Sequence, residues 1–204
     1  NVFENHFKEL NKKCLFCNNL INYKKIEQKA KEPCNDFEQK ENIVTFLNLG
    51  RHDEKQKKLS RIINATKRLN DEGYIFRVVF IGDGPDNEKY KKQAQGVENI
   101  EFLGKKSNPY PYLKKSDCLL MSSDFEGYPV VFIESMILGK TIITTNVSDS
   151  EKDIKDKFGI VVEKSEEGIY EGMKQYLEKG FDMQKFNPEE FNEKIIEKLK
   201  QVIS

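Results

Sequence analysis

The sequence predicts an α/β fold, a doubly wound parallel sheet of six strands, and three observations carry that prediction. Six short runs follow one another from residue 43: I-V-T-F-L-N-L, R-V-V-F-I-G, N-I-E-F-L, D-C-L-L-M-S, T-I-I-T-T and G-I-V-V. Each is apolar nearly throughout, the pattern of strands covered on both faces. Segments of helical length separate them, so strand and crossover helix alternate along the chain.

Ahead of the first strand, residues 1–13 read as a helix, C-L-F-C-N-N-L-I as an extended piece, and residues 23–32 as a short helix before Pro33. Residues 1–40 do not resemble a βα unit, so we expect a linker or the tail of a further domain; the opening on Asn1 rather than Met suggests a processed or truncated chain. In the first crossover helix, Leu59, Ile62, Ile63 and Leu69 recur at helical spacing against Lys57, Lys58, Arg61, Lys67 and Arg68. Asp71-Glu72-Gly73 ends it. The stretch from Glu126 to Gly139, E-G-Y-P-V-V-F-I-E-S-M-I-L-G, reads as a nearly all-apolar helix expected to pack on several sides, with Pro129 in its first turn and Gly139 at its stop. Phe191, Ile195, Ile196, Leu199 and Ile203 mark an amphipathic terminal helix over residues 188–203. We therefore divide the chain into 1–40, a sheet domain at 41–183, and a terminal helix segment at 184–204.

The 204 residues carry 34 basic and 34 acidic side chains, so no net field favours nucleic acid or anionic lipid. No apolar run reaches the roughly 18 to 20 residues of a membrane span, and no charged-then-apolar leader is present. The expectation is a soluble, intracellular protein. Cys14 and Cys17 form a C-x-x-C, but no second pair of thiolates or imidazoles stands at ligand spacing, since the histidines are His6 and His52. Free thiols in a reducing compartment are the expectation for all four cysteines.

Ligands of doubly wound sheets bind outside the carboxyl ends of the strands, so the loops after the strands hold the candidate site. The first reads G-R-H-D-E-K-Q-K-K-L, with Gly50 and Arg51 at the strand end and Lys55, Lys57 and Lys58 at the next helix start. Cations there oppose the helix dipole, which points to a compensating bound anion or, for any single lysine, to a solvated surface position. The second reads G-D-G-P-D, a G-x-G without the third glycine of the dinucleotide fingerprint, and by itself it is a tight turn. The third is S-S-D-F-E-G-Y-P. Glu126 lies in the loop, Gly127 lets backbone approach a ligand, and free N–H groups near Gly127, Tyr128 and Val130 would face an anion. Glu134 follows about one turn further in, among Val130, Val131, Phe132, Ile133, Met136, Ile137 and Leu138. A carboxylate is costly there unless a core ion pair or a wet cleft receives it.

E-x7-E from Glu126 to Glu134 with G-Y-P between, G-R followed by lysines, G-D-G-P, and F-L-G before a loop occur in one order. Together they resemble the C-terminal half of a GT-B-fold glycosyltransferase of the large retaining family 4, group 1, over about residues 43–164. The resemblance implies a Rossmann-like donor-binding domain whose acceptor-binding N-terminal half is absent, with the terminal helix crossing back toward that half. It implies that Arg51 and Lys57 neutralise the donor pyrophosphate in place of a metal ion, so that no cofactor is needed; the chain has no D-x-D tripeptide. Glu134 would accept from the ribose hydroxyls and Glu126 would contact the transferred sugar, making Arg51, Lys57 and Glu126 the catalytic set. Gly50 and the Gly127-Tyr128-Pro129-Val130 stretch would hold phosphate and sugar, and Gly104, Lys105 and Lys106 would border the base. The implied partners are a nucleotide sugar, most simply a UDP-sugar, and a glycan or lipid-linked acceptor at the inner membrane face, in polysaccharide biosynthesis. The loop N-V-S-D-S-E-K-D-I departs from the family pattern because it lacks paired glycines.

Three rivals share parts of this pattern. A nicotinamide-dependent oxidoreductase would need G-x-G-x-x-G in the first βα unit, where this chain has G-R-H-D-E-K. A nucleotide-sugar epimerase of the same fold, and a module that binds a nucleotide sugar without turning it over, remain open.

Overall fold

The computed structural model describes residues 18–203. Two compact units divide the chain, one from Tyr23 to Phe186 and one holding residues 18–22 and 187–203. The predicted helix at residues 1–13 and the Cys14–Cys17 pair lie outside the described residues.

The larger unit contains all six predicted strands. In chain order its elements are α1 (Tyr23–Lys29), β1 (Val44–Leu49), α2 (Leu59–Asp71), β2 (Phe76–Ile81), α3 (Asn87–Gln93), β3 (Ile100–Gly104), α4 (Tyr110–Lys115), β4 (Cys118–Met121), α5 (Val130–Ile137), β5 (Thr141–Thr145), α6 (Ser150–Asp153), β6 (Gly159–Val162) and α7 (Glu166–Lys179). The strands are parallel in the order β3-β2-β1-β4-β5-β6, so the winding direction reverses between β1 and β4. Register is set with Val44 opposite Phe76 and Phe46 opposite Cys118.

Side chains alternate across the sheet, which is why the runs had to be apolar on both parities. Phe46, Val78, Phe80, Cys118, Leu120, Ile143 and Ile160 join Leu59, Ile62, Ile63 and Leu69 of α2 and Ile169 and Met173 of α7 in one core. Leu47, Val79, Leu119 and Ile142, of opposite parity, are equally buried. Helix α1 packs against α4 and α5, with Ile26 buried. Cys34 and Cys118 are free and buried.

Two local details differ from the expectation. Helix α2 begins at Leu59 rather than within the lysine cluster, because residues 54–57 form a turn and Lys58 takes a left-handed conformation with φ 52°. Helix α5 buries Phe132, Ile133 and Met136, but its first turn is open, with Val130 47% exposed.

In the smaller unit, the backbone N–H of Ile21 donates to Asn192 Oδ1 at 3.0 Å, and Asn192 Nδ2 returns a bond to the Ile21 carbonyl at 2.9 Å. Asn192 stands on α8 (Pro188–Ile203), where Ile195 is buried while Ile196 and Leu199 are exposed. No helix among the described residues is long and apolar enough to cross a membrane.

Candidate functional site

The loops after β1 and β4 part at the point where the strand order reverses, the place where open α/β sheets bind their ligands. An open cleft of about 540 Å3 lies beside it, lined by Gly50, Arg51, Gly82, Asp83, Gly84, Lys105, Lys106 and Pro109 among others. Thus the structure brings the first loop together with the predicted base-bordering loop. Arg51 is 68% exposed, and its ion-pair partner Asp53 stands at 4.0 Å. Lys105 is exposed and forms no ion pair among the described residues, whereas Lys106 is held by Asp36.

The cleft floor explains the glycines of G-D-G. A methyl on Gly82, whose φ is 150°, would meet the Gly50 carbonyl oxygen at 1.7 Å, and one on Gly84 would meet the His52 carbonyl oxygen at 2.3 Å. The turn therefore lies directly on the backbone of the first loop, and Gly82 donates to the Gly104 carbonyl at 3.1 Å at the end of β3. His52 is fully buried among Phe80, Tyr90 and Phe102, with Nδ1 2.8 Å from Asn87 Oδ1. It packs beneath the two loops and does not line the cleft.

Lys57 runs alongside Gly50, its Cε 3.6 Å from where a Gly50 Cβ would lie, and crosses the switch point to Glu126. Its Nζ is 2.6 Å from Glu126 Oε1, which also accepts from Ser123 Oγ at 2.7 Å. The two charged side chains are 19% and 11% exposed. Next to them, Lys58 and Arg61 reach Asp124 at 3.6 and 2.6 Å. The cations around the start of α2 thus meet carboxylates of the β4 loop, while Arg51 and Lys105 face the open cleft.

The Glu126–Gly127 backbone is held from the β5 loop. Ser148 Oγ donates to the Glu126 carbonyl at 2.8 Å and to the Gly127 carbonyl. The loop that lacks paired glycines thus contributes a hydroxyl that holds the backbone beside Glu126. Pro129, buried and extended, caps α5 with no side-chain hydrogen bond. The N–H groups of Gly127, Tyr128 and Val130 meet no acceptor among the described residues. The Tyr128 phenol is pushed up by burial and by Asp153.

Glu134 is half-buried one turn into α5, and its hydrogen-bond partner is a phenol: Tyr110 Oη donates to Oε1 at 2.8 Å. Burial pushes the Glu134 carboxyl up, and the Tyr110 hydrogen bond offsets part of that rise. Among the described residues no cation pairs with it, so the core ion pair considered for Glu134 is not what receives it.

Sequence reasoning missed Tyr110, Ser123, Asp124 and Ser148. S-S-D before E-G is a visible polar cluster, but nothing local marks Tyr110, which lies 24 residues from Glu134. Exposed cations, free amides at a helix start and a half-buried carboxylate together suit a ligand with an anionic group and hydroxyls.

Among solved structures the fold matches the lipopolysaccharide outer core galactosyltransferase WaaB, with a TM-score of 0.68 at 20% identity, covering 81% of this chain and 50% of that one. Anabaena HepE, solved in complex with UDP, matches with a TM-score of 0.63 at 15% identity over 78% and 49%. These likenesses are of fold, that of GT-B glycosyltransferases. In sequence, the chain is 31% identical over 173 residues to the Campylobacter jejuni N-acetylgalactosamine-N,N'-diacetylbacillosaminyl-diphospho-undecaprenol 4-alpha-N-acetylgalactosaminyltransferase, covering 82% of this chain and 45% of that protein. It spans less than half the length of the curated relatives it matches first, 39% and 45%. Residues 27–201 match the family model of the group 1 glycosyl transferases, and the chain belongs to that family.

Proposed function

We propose that this chain is the C-terminal, donor-binding half of a family 4 retaining glycosyltransferase that moves a hexosyl group from a UDP-sugar to a glycan or lipid-linked acceptor. The observation that carries this reading is the open cleft at the switch point, where Arg51 faces solvent while Lys57 and Glu126 close the adjoining wall at 2.6 Å. The donor diphosphate lies against Arg51 and Lys57, the base against Gly104 and Lys105, and the ribose hydroxyls against Glu134. The sugar meets Glu126 and the amides from Gly127 to Val130. When the bond from anomeric carbon to phosphate oxygen breaks, negative charge grows on the diphosphate, and fixed cations aimed at that charge supply most of the protein's contribution. The acceptor hydroxyl then bonds to the anomeric carbon and its proton passes to the departing phosphate.

Two cations at the diphosphate and a sequence without D-x-D support transfer that needs no metal ion. UDP is supported by HepE, whose structure holds it, and a lipid-linked acceptor by the Campylobacter relative, whose name specifies a diphospho-undecaprenol substrate. The acceptor site belongs to the rest of a longer protein working at the cytoplasmic face of a membrane. Turnover by this chain alone is therefore not expected, although donor binding is.

Thermal unfolding against UDP, GDP, ADP and their glucose and N-acetylglucosamine conjugates, with and without EDTA, tests this. A ligand at 100 times its dissociation constant adds about 2.7 kcal/mol. The expected result is a shift with uridine nucleotides, unchanged by EDTA and lost in Arg51→Ala. No shift with any nucleotide, in this chain or in one carrying an N-terminal acceptor domain, sinks the assignment.

A further inference from the structure

We infer that Tyr110 is a positioning residue for nucleotide recognition: it holds one oxygen of Glu134 so that the other is presented to a ribose hydroxyl. The inference rests on the donor-site reading above and adds to it a residue that the motifs do not contain.

Tyr110 opens α4, immediately after the cleft-lining Pro109. Its backbone N–H donates to Asn108 Oδ1 at 3.3 Å, and Asn108 Nδ2 donates to the Lys29 carbonyl at 2.9 Å and to Glu32 Oε2 at 2.7 Å. The loop from the cleft lip to Tyr110 is thereby tied to the end of α1. From that anchored position the phenol reaches across to Glu134 Oε1, and Oε2 accepts no hydrogen bond among the described residues. A carboxylate offers about four acceptor sites, and the phenol fills one.

The choice of a phenol matters. A lysine or arginine in its place would neutralise Glu134 and compete with a ribose hydroxyl, which is a weaker, neutral donor. Tyr110 fixes the orientation and leaves the negative charge for the ligand. Burial and the neighbouring carboxylate push its own phenol up to about 12, so it keeps its proton and donates throughout the neutral range. Without it, a half-buried Glu134 would turn to solvent or take up a proton more readily, and either change removes the acceptor that a ribose requires.

The test is calorimetric titration of this chain with UDP and with 2′-deoxy-UDP, in the unsubstituted protein, Tyr110→Phe, Glu134→Gln and the double variant. Loss of one hydrogen bond to a charged group corresponds to about a tenfold loss of UDP affinity in Tyr110→Phe. The 2′-deoxy ligand should lose much less, and Tyr110→Phe should add nothing in the Glu134→Gln background. A merely structural role would weaken both ligands alike, and that result overturns the inference. Loss of UDP affinity in Glu134→Gln but not in Tyr110→Phe also overturns it, while leaving the donor site standing. No loss in Glu134→Gln removes the ribose role of Glu134 and the inference with it. If Tyr110→Phe does not fold, Asn108→Ala loosens Tyr110 without touching Glu134, and a smaller loss of the same ribose-selective kind is expected. A carbon-13 titration of the Glu134 carboxyl without ligand gives a separate check: it should protonate at higher pH in Tyr110→Phe, and an unchanged titration argues against the hydrogen bond.

Discussion

The loop that carries Glu126 and the helix that carries Glu134 form one continuous segment, yet their carboxylates are balanced in opposite ways. Glu126 has a lysine at 2.6 Å and a serine hydroxyl at 2.7 Å on the same oxygen, and its neighbour Asp124 has Lys58 and Arg61. Glu134 has a single phenol and no cation among the described residues. In the loop, charges of the chain neutralise one another and fasten β4 to β1 at the switch point. In the helix, a negative charge is kept under partial burial with less support than burial demands. The difference separates a carboxylate paired within the chain from one that no cation among the described residues balances, and the donor-site proposal gives that second carboxylate a ligand hydroxyl as its partner.

The largest effect should come from breaking the balanced side. Lys57→Met leaves Glu126, 11% exposed, with hydroxyl and amide donors but no cation. Stranding one member of such a pair costs about 1–3 kcal/mol, less than for a fully buried pair. For a chain of this size that is a fall in melting temperature of about 2–12 °C. The double variant Lys57→Met with Glu126→Gln should recover part of the loss, which calorimetry on the four proteins of the cycle measures. A melting temperature unchanged in Lys57→Met would erase the contrast between the two carboxylates.

That contrast was only half legible in the sequence. Buried parallel strands announce themselves as apolar runs, so all six were readable, and the ends of α5 were marked by Pro129 and by Gly139, whose φ is 66°. Glu134 stood out because a carboxylate among Val, Ile, Phe and Met is conspicuous. Its partner did not, and neither did the partners of Lys57 and Arg61, which lie 69 and 63 residues away. Such pairings depend on strand order, a property of the whole sheet, whereas periodicity reports only what lies within a turn or two. The start of α2 was misjudged for a local reason: Lys58 adopts a left-handed conformation that its side chain does not advertise. A second pocket of about 420 Å3, lined by Glu151, Glu163, Glu167 and Glu171 at the ends of β5 and β6, had no sequence signature either.

A smaller effect of opposite sign is expected on the unbalanced side. Burial raises the Glu134 carboxyl above its unfolded value, so the folded chain binds that proton more readily than the unfolded chain does. Glu134 therefore lowers stability progressively as pH rises from the ordinary carboxylate range to the raised folded value, carries its full cost above that value, and loses it again on acidification. Glu134→Gln keeps an oxygen for Tyr110 and removes the charge, so it should raise the melting temperature at pH 7 by about 1–3 °C. The gain should shrink on acidification while UDP affinity falls at neutral pH. A lower melting temperature at pH 7 would show that Glu134 is stabilised by the fold and is not held for a ligand.

The smallest effect on stability, and the sharpest separation of fold from ligand, belongs to Gly127. An added methyl there meets nothing within 4 Å, in contrast to Gly82, where it would strike the Gly50 carbonyl. Gly127 is exposed and lies outside the left-handed region, so the fold does not require glycine at this position. Gly127→Ala should change stability by less than about 0.5 kcal/mol. If its amide and those of Tyr128 and Val130 face the donor, the methyl stands where phosphate or sugar must approach, and UDP-sugar affinity should fall several-fold while the melting curve without ligand stays in place. Affinity and melting temperature both unchanged would move the donor away from the start of α5 and leave Glu134 without the ligand that accounts for its charge.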